Sequence, residues 1–252
     1  MFKTERMDAI LGILREKKYV TVHYLAERIY ASEVTIRRDL HKMEELGLIV
    51  RSYGGVTLRV SENVSVPLVI REQNLSSVKN RIAEEAAQLI RDGDTVLMDG
   101  SSTVLCMVRY FRERQNMTVI TNSLRVATLL CEKHIPVYCT GGLLVPEALV
   151  CVGSFSNNML ESVTADCMFF SSQGFSADGR VCDFSENETC QRKLMLQHAR
   201  RKYFLCDSSK LGKSFLFTVC HMNELDRILC DTDVGVWLRT QATGESTGGN
   251  PA

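Results

Sequence analysis

One stretch constrains this chain more than any other. Ser32-Glu33-Val34-Thr35-Ile36-Arg37-Arg38-Asp39-Leu40 is followed closely by Gly47-Leu48-Ile49-Val50-Arg51-Ser52-Tyr53-Gly54-Gly55. With Ser32 as N-cap, the first segment predicts a short helix, the serine hydroxyl meeting a free amide of the first turn. At 100° per residue, Ile36, Leu40 and Met43 fall on one face and pack inward. Val34, Arg38, His41 and Glu45 fall opposite, with Thr35, Arg37 and Lys42 on the flanks. Two arginines early on the outward side suit a DNA major groove, where guanidinium pairs bidentately with guanine or clamps phosphate.

Upstream residues give that helix its context. Met7, Ile10, Leu11 and Leu14 are spaced as one face of an amphipathic helix over residues 3–17. Thr21 caps a second helix whose Val22, Leu25, Ala26 and Ile29 face inward. Only Tyr30-Ala31 separates it from Ser32, a turn short enough for a helix-turn-helix. Gly47 suits a left-handed C-cap. Ile49-Val50 and Val56–Leu58 alternate around Gly54-Gly55, a hairpin signal. The prediction is an α+β winged helix-turn-helix over residues 1–58. Its candidate DNA contacts are Ser32, Val34, Thr35, Arg37, Arg38, His41 and Lys42 on the helix, with Arg51 and Tyr53 on the wing.

The run Ser-x-x-Thr-Ile-Arg-Arg-Asp-Leu, then Gly-Leu-Ile-x-Arg-x-x-Gly-Gly, resembles the N-terminal signature of the DeoR family of bacterial transcriptional regulators. Ala31 departs from the family's usual valine and Tyr53 from its usual histidine. The first alters turn packing slightly; the second changes a wing residue and with it the DNA sequence read.

Charge divides unevenly along the 252 residues. Formal net charge is zero, yet residues 1–60 carry 11 Lys+Arg against 8 Asp+Glu, and the remainder 19 against 22. A mildly basic head on an acidic body fits a DNA-binding module joined to a domain with another task. An excess so small predicts that two heads share one DNA, so the working unit is a homo-oligomer, a dimer or tetramer. The ten cysteines are never closer than eight residues apart, so no C-x-x-C pair exists and the usual zinc and redox spacings are absent. Val137-Tyr138-Cys139, Phe204-Leu205-Cys206 and Ile228-Leu229-Cys230 place thiols in apolar runs, where they read as small buried hydrophobes. Free thiols in such number, no signal peptide and no apolar run of membrane-spanning length predict a cytoplasmic protein with no membrane partner. No metal or cofactor is expected.

Residues 59–76, interrupted by Ser61-Glu62-Asn63, Pro67 and Gln73–Ser77, read as a mobile connection. Residues 240–252 are rich in Gly, Ser and Thr and read as a disordered tail. Between them, residues 77–236 alternate helical and strand signals. Strands are expected at 95–98, 117–121, 135–140, 148–152, 166–171, 202–207 and 227–231. Helices are expected around Ile82, Ala86, Leu89 and Ile90, ending at Asp92-Gly93, from Thr103 to about Glu113, from Ser123 to Lys133 and at about 185–201. Alternation of this kind predicts an α/β domain with a mainly parallel, doubly wound sheet.

Asp99–Thr103, Thr121-Asn122-Ser123, Gly141-Gly142 and Asp207-Ser208-Ser209-Lys210 each follow a predicted strand. Small ligands bind on that edge of open α/β sheets, and Gly, Ser and Thr before a helix start are equipped to hold phosphate. Here too the chain resembles the DeoR family, whose C-terminal sensor domain is similar in fold to ribose-5-phosphate isomerase and coenzyme A transferase relatives and binds phosphorylated sugars. The matching residues include Lys79-x-x-Ile82-Ala83, Asp92-Gly93-Asp94, Asp99-x-x-Ser102-Thr103, Val119–Ser123, Gly141-Gly142, Gly153, Gly174, Asp207-x-Ser209-Lys210 and Asp231. The resemblance implies that Ser102, Thr103, Thr121, Asn122 and Ser123 hold the phosphate, and that Asp99 and Lys210 face the sugar or phosphate. Ser101 stands where the family usually has glycine, and Ser171 where a glycine commonly precedes the Gln-Gly turn. Were Ser101 to need positive φ, its side chain would carry a cost that glycine avoids.

The expected function is that of a sequence-specific transcriptional repressor of a carbohydrate operon, its partners operator DNA and a phosphorylated sugar. Two alternatives stay open. One is a sugar-phosphate isomerase or transferase-like enzyme carrying a DNA-binding module, with Asp99, Asp178, Glu188, Lys193 and Lys210 as candidate acid–base groups. The other is a regulator whose effector pocket has decayed.

Overall fold

A computed structural model of the chain describes residues 3–17, 19–45, 47–52, 55–58, 68–73, 76–112 and 116–243. The chain divides into two compact units, Met1–Asn74 and Leu75–Ala252.

The first unit begins with α1 (Lys3–Glu16), the two-residue strand β1 (Val20–Thr21), α2 (Val22–Ile29) and α3 (Glu33–Glu45). β2 (Ile49–Ser52) and β3 (Gly55–Leu58) follow, and α4 (Leu68–Gln73) ends it. The Thr21 hydroxyl caps α2 by accepting from Tyr24 N at 3.1 Å. Tyr30 closes that helix in the left-handed conformation, φ 57°. Gly47, φ 69°, ends α3 as its spacing predicts. Leu48 N donates to Met43 O and Gly47 N to Glu44 O, both at 2.9 Å, a paired closure that places the buried Leu48 over Met43. The strands form an antiparallel sheet ordered β1-β3-β2. Met7, Ile10, Leu11, Leu14, Leu25, Ile29, Ile36, Leu40, Met43 and Val56 make one core. Burying such side chains contributes about 1.5–3 kcal/mol each.

The expected irregular connection at 59–76 is corrected in part. Leu68–Gln73 is helical and packs on α1, with Leu68 buried, so the head unit reaches past residue 58. The apolar Leu68 supplies the contact that makes this turn of helix worth forming. The remaining connection residues other than Ser76 lie outside the described residues, as does Tyr53.

In the second unit come α5 (Ser76–Ala87), β4 (Thr95–Met98), α6 (Ser102–Leu105), β5 (Thr118–Thr121), α7 (Leu124–Glu132), β6 (Val137–Cys139), β7 (Leu143–Val145), β8 (Val150–Val152) and α8 (Ser154–Glu161). They are followed by β9 (Ala165–Phe170), β10 (Gly174–Phe175), β11 (Arg180–Asp183), α9 (Glu186–Gln197), β12 (Ala199–Cys206), β13 (Phe217–His221), β14 (Arg227–Cys230) and α10 (Val234–Thr243). Six strands form a sheet ordered β14-β12-β9-β4-β5-β6, parallel at every pairing. The chain winds outward from β4 through β5 and β6, then returns to β9 on the other side of β4. The strand order therefore reverses between β4 and β9, the position at which open α/β sheets take ligands at the C-terminal ends of their strands. β10, β11 and β13 form a small antiparallel sheet, and β7 and β8 a hairpin. Phe169, Phe170, Phe175 and Phe204 are fully buried, and Phe170 lies 5.2 Å from Phe204 between ring centres.

Four expectations need correction. The helix after Thr103 is α-helical only to Leu105; a tighter 3-10 turn, Cys106–Tyr110, carries Cys106, Met107 and Val108 inward. The body does not stop at 236, nor is the tail irregular from 240. Trp237 packs on Phe175, ring centres 6.1 Å apart, and α10 runs to Thr243. Residues 244–252 lie outside the described residues. Cys139 is not a buried hydrophobe, because β6 is the sheet's edge, leaving Tyr138 60% exposed and Cys139 exposed. All ten cysteines are free thiols.

Candidate DNA interface and effector site

In the head, α3 presents two faces. Ile36, Asp39, Leu40 and Met43 are buried and Val34 is 77% exposed. Ser32 Oγ accepts from Thr35 N at 3.3 Å and lies 2.9 Å from Thr35 Oγ1, so both residues serve the helix start. Arg37 donates to Glu33 at 2.8 Å, one turn back, and Lys42 to Glu45 at 2.9 Å. His41 lies 3.4 Å from Glu45, and Arg51 on β2 lies 3.9 Å from Glu44. Arg38 is exposed and has no partner among the described residues. Exposed pairs of this kind each contribute little to the stability of the fold. Of the nine predicted contact residues, eight are described and none is buried, and Tyr53 lies outside the described residues.

Sequence reasoning assigned Asp39 no role. It is fully buried on α3 and holds Arg6 of α1 through Arg6 Nε at 2.7 Å and Nη2 at 3.4 Å. The Arg-Arg-Asp run therefore splits its labour, two cations outward and one carboxylate inward to fix the helix against α1.

In the body, the four predicted loops do lie at the C-terminal ends of β4, β5, β6 and β12. Asp99 and Ser171 meet at the point where strand order reverses: Ser171 N donates to Asp99 Oδ2 at 3.4 Å, Asp99 N to Phe169 O at 3.2 Å. Ser101 takes φ −77° and caps α6, its Oγ accepting from Val104 N at 3.3 Å. The serine in place of glycine is therefore unstrained. Ser123 does the same for α7, its Oγ accepting from Val126 N at 3.3 Å, while its N donates to Thr121 Oγ1 at 3.1 Å. Ser102, 5% exposed, makes no side-chain hydrogen bond among the described residues. Thr103 Oγ1 and Asn122 Oδ1 are buried without a partner, and unpaired buried polar atoms cost about 1–3 kcal/mol each.

The β7–β8 hairpin lies against these loops. Cys151 N donates to Asn122 O at 2.7 Å and Leu124 N to Leu149 O at 3.0 Å. Gly142 sits beneath it at φ 108°, and a Cβ there would stand 2.6 Å from Val152 O. The glycine is required both by φ and by the close approach. Nearby, Ser156 Oγ lies 2.7 Å from Thr140 Oγ1 and 2.9 Å from Gln191 Oε1.

Asp99 and Lys210 are differently engaged than the resemblance implies. The Asp99 carboxylate accepts from Ser101 N at 3.0 Å and from Arg192 Nε at 2.8 Å. Lys210 Nζ donates to Ser171 Oγ at 2.8 Å. Arg192, absent from the predicted site, is the hub. Its side chain is 3% exposed and also donates to Asp183 at 2.8 Å and Glu188 at 2.9 Å. Burial pulls the Arg192 pKa down, but the carboxylates of Asp183, Asp99 and Glu188 outweigh it and hold the guanidinium charged. The only hint in sequence is the one-turn spacing of Glu188 and Arg192, common on solvated helices. Among the acid–base candidates, Asp99 and Glu188 are thus committed to Arg192. Lys193 is exposed, and Asp178 pairs with Arg180 at 2.7 Å in an exposed turn.

Among the described residues, no helix is long and apolar enough to cross a membrane. Comparison with known proteins agrees with both halves of this picture. Residues 6–62 match the DeoR-like helix-turn-helix domain, and residues 75–232 the DeoR C terminal sensor domain. The HTH-type transcriptional repressor GlcR of Bacillus subtilis (strain 168) is 34% identical over 92% of this chain and 89% of its own. The lactose phosphotransferase system repressor of Staphylococcus epidermidis (strain ATCC 35984) is 31% identical over 92% of this chain and 94% of its own. Among solved structures, the Pyrococcus horikoshii OT3 translation initiation factor eIF-2B shares the fold, with TM-score 0.50 and 15% identity over 90% of this chain and 87% of that one. Ribose 5-phosphate isomerase A of Methanocaldococcus jannaschii reaches TM-score 0.41 and 19% identity over 54% of each chain, too slight a likeness to bear on chemistry. The chain belongs to the DeoR family, with that family's helix-turn-helix at its head and its sensor domain as its body.

Proposed function

We propose that this protein is a cytoplasmic repressor of carbohydrate-metabolism genes, and that a phosphorylated sugar held at the C-terminal edge of the parallel sheet releases it from operator DNA. The observation that carries the effector half is the pair of orphaned groups, Thr103 Oγ1 in the first turn of α6 and Asn122 Oδ1 in the loop after β5, which follow the adjacent strands β4 and β5. A hydroxyl donor suits a phosphate oxygen, and an amide carbonyl suits a sugar hydroxyl. A phosphorylated sugar offers both, beside the start of α7 where amides and helix dipole favour an anion. The names of the two repressor relatives support the regulatory half. The enzyme alternative is disfavoured because Asp99, the carboxylate nearest these loops, is bonded to Arg192 and two amides rather than open to a substrate proton.

The working unit is at least a dimer, since a head with so little excess charge neutralises too few phosphates for tight specific binding on its own. Effector acts by changing how bodies associate. Ser102→Ala with Asn122→Ala abolishes operator release by sugar phosphates, a coupling of about 1–3 kcal/mol, while effector-free DNA binding persists. Fluorescence anisotropy with labelled operator and a panel of sugar phosphates measures this. Release that survives in the double variant places the effector elsewhere.

A further inference from the structure

Glu33 opens α3, and two donors hold its carboxylate. Oε2 accepts from Arg37 Nη2 at 2.8 Å, and Oε1 lies 3.2 Å from His23 Nδ1 at the start of α2. The side chain remains 40% exposed. Hydrogen bonds from Arg37 and then His23 hold its pKa below the ordinary carboxylate value, so it stays ionised near neutral pH. A groove runs past it, bounded by Thr21 and His23, by Arg37, and by Arg51 and Ser52 of β2.

An acidic group on this surface is repelled by the phosphate backbone that the neighbouring cations attract. The first turn of a recognition helix, however, meets base edges rather than backbone. In the major groove a carboxylate has one good base partner, the N4 amino group of cytosine. Arg37 offsets the local charge and fixes the carboxylate's direction, and its remaining N–H groups stay available to a neighbouring base or phosphate. Exposed Val34, the next residue, is apolar and suits a thymine methyl. We propose that Glu33, oriented by Arg37, reads a cytosine in each operator half-site and so helps set which DNA this protein selects. The proposal rests on the head's DNA-binding role and is independent of whether the body binds an effector.

The blander role for Glu33 is a negative charge favouring a helix N-terminus. Selection from randomised duplexes, with the full-length chain and its Glu33→Gln variant, separates the two. The expected result is a fixed cytosine at one position per half-site for the wild type. In Glu33→Gln that position turns toward adenine, which glutamine pairs through N6 and N7, with a shift on the order of tenfold and the other positions unchanged. Three results overturn the proposal. The variant keeps the wild-type preference and binds every sequence more tightly; or, folded by circular dichroism, it binds no sequence, so that Glu33 only places Arg37; or wild-type sites carry no fixed cytosine, a result that does not depend on the variant folding.

Discussion

Head and body solve opposite polar problems. On the head's working surface the charged side chains are exposed and tied within single helical turns, as Lys42 is to Glu45. Such pairs exchange readily for DNA. In the body, the working polar groups are buried and almost fully bonded: Asp99, Ser101, Thr121, Asn122 and Ser123 are each at most 4% exposed. Their directions are preset by caps and by Arg192, while Thr103 and Asn122 each retain an unmet buried atom. The head's polar groups stay free to re-pair, whereas the body's are fixed in advance of any ligand.

The sharpest way to break that comparison is to remove a buried ion from the body. Arg192→Ala leaves Asp99, Asp183 and Glu188 facing one another in the interior and destabilises the body by about 3–5 kcal/mol. All the cysteines lie beyond residue 105, so thiol labelling reports on the body alone. Burial pushes the Cys167 and Cys220 thiols up to about 12 and protects them, so they stay unreactive in the wild type. In Arg192→Ala both label faster. A variant whose labelling pattern is unchanged would mean that the network carries little of the body's stability.

Gly142→Ala is next. It forces a side chain into positive φ and against Val152 O, and costs about 1–3 kcal/mol in the body, read as a shift of the urea midpoint. Arg38→Ala sits beside it in size but differs in kind. It costs about 1–3 kcal/mol of operator affinity and relaxes base preference while leaving the urea midpoint where it was. Arg37→Ala weakens specific and non-specific DNA more evenly. If Arg38→Ala keeps full sequence preference in competition binding, α3 is rotated relative to the groove.

The smallest expected effect is a pH dependence in the head. Glu33 has its pKa lowered in the folded state by Arg37 and His23, so the stabilisation from these bonds is fully present above its ordinary value of 4.5. It fades as pH falls through the lowered folded value. Carbon-13 titration of the Glu33 carboxyl in wild type and in Arg37→Ala checks the sign, since the Arg37 variant should titrate at higher pH.

The head was nearly all legible because its signals are local. Thr21, Ser32 and Gly47 mark helix ends, and Ile36, Leu40 and Met43 fix the rotation of α3 within two turns. What escaped was Asp39, because an aspartate within a charged run carries no mark of facing inward; its partner Arg6 is 33 residues away. The body's parallel strands and their terminal loops were legible from alternation and turn residues. Strands as short as Gly174–Phe175 and Arg180–Asp183 were not, since two to four residues hold no period. Arg192 was invisible for the same reason as Asp39. It meets Asp99 across 93 residues of chain, and nothing along α9 says which of its polar side chains turns inward. The cost weighed for Ser101 was conditional on positive φ, and the loop holds it at φ −77°, where no such cost arises.

The position of β4 has a consequence for how the protein is made. β4 lies at the centre of the sheet, between β5 and β9, and its bond partner Asp166 follows Thr95 by 71 residues. The head's farthest strand pairing, Val20 with Val56, spans about half that length. Contacts so remote in sequence slow folding, because the intervening chain must be ordered before they form. On the ribosome the head is complete while β4 still lacks a neighbour on one side, and its apolar edge stays open until β9 emerges. The body's vulnerable interval is therefore set by the order of synthesis, and the DNA-binding end of each chain is ready before its own body has folded.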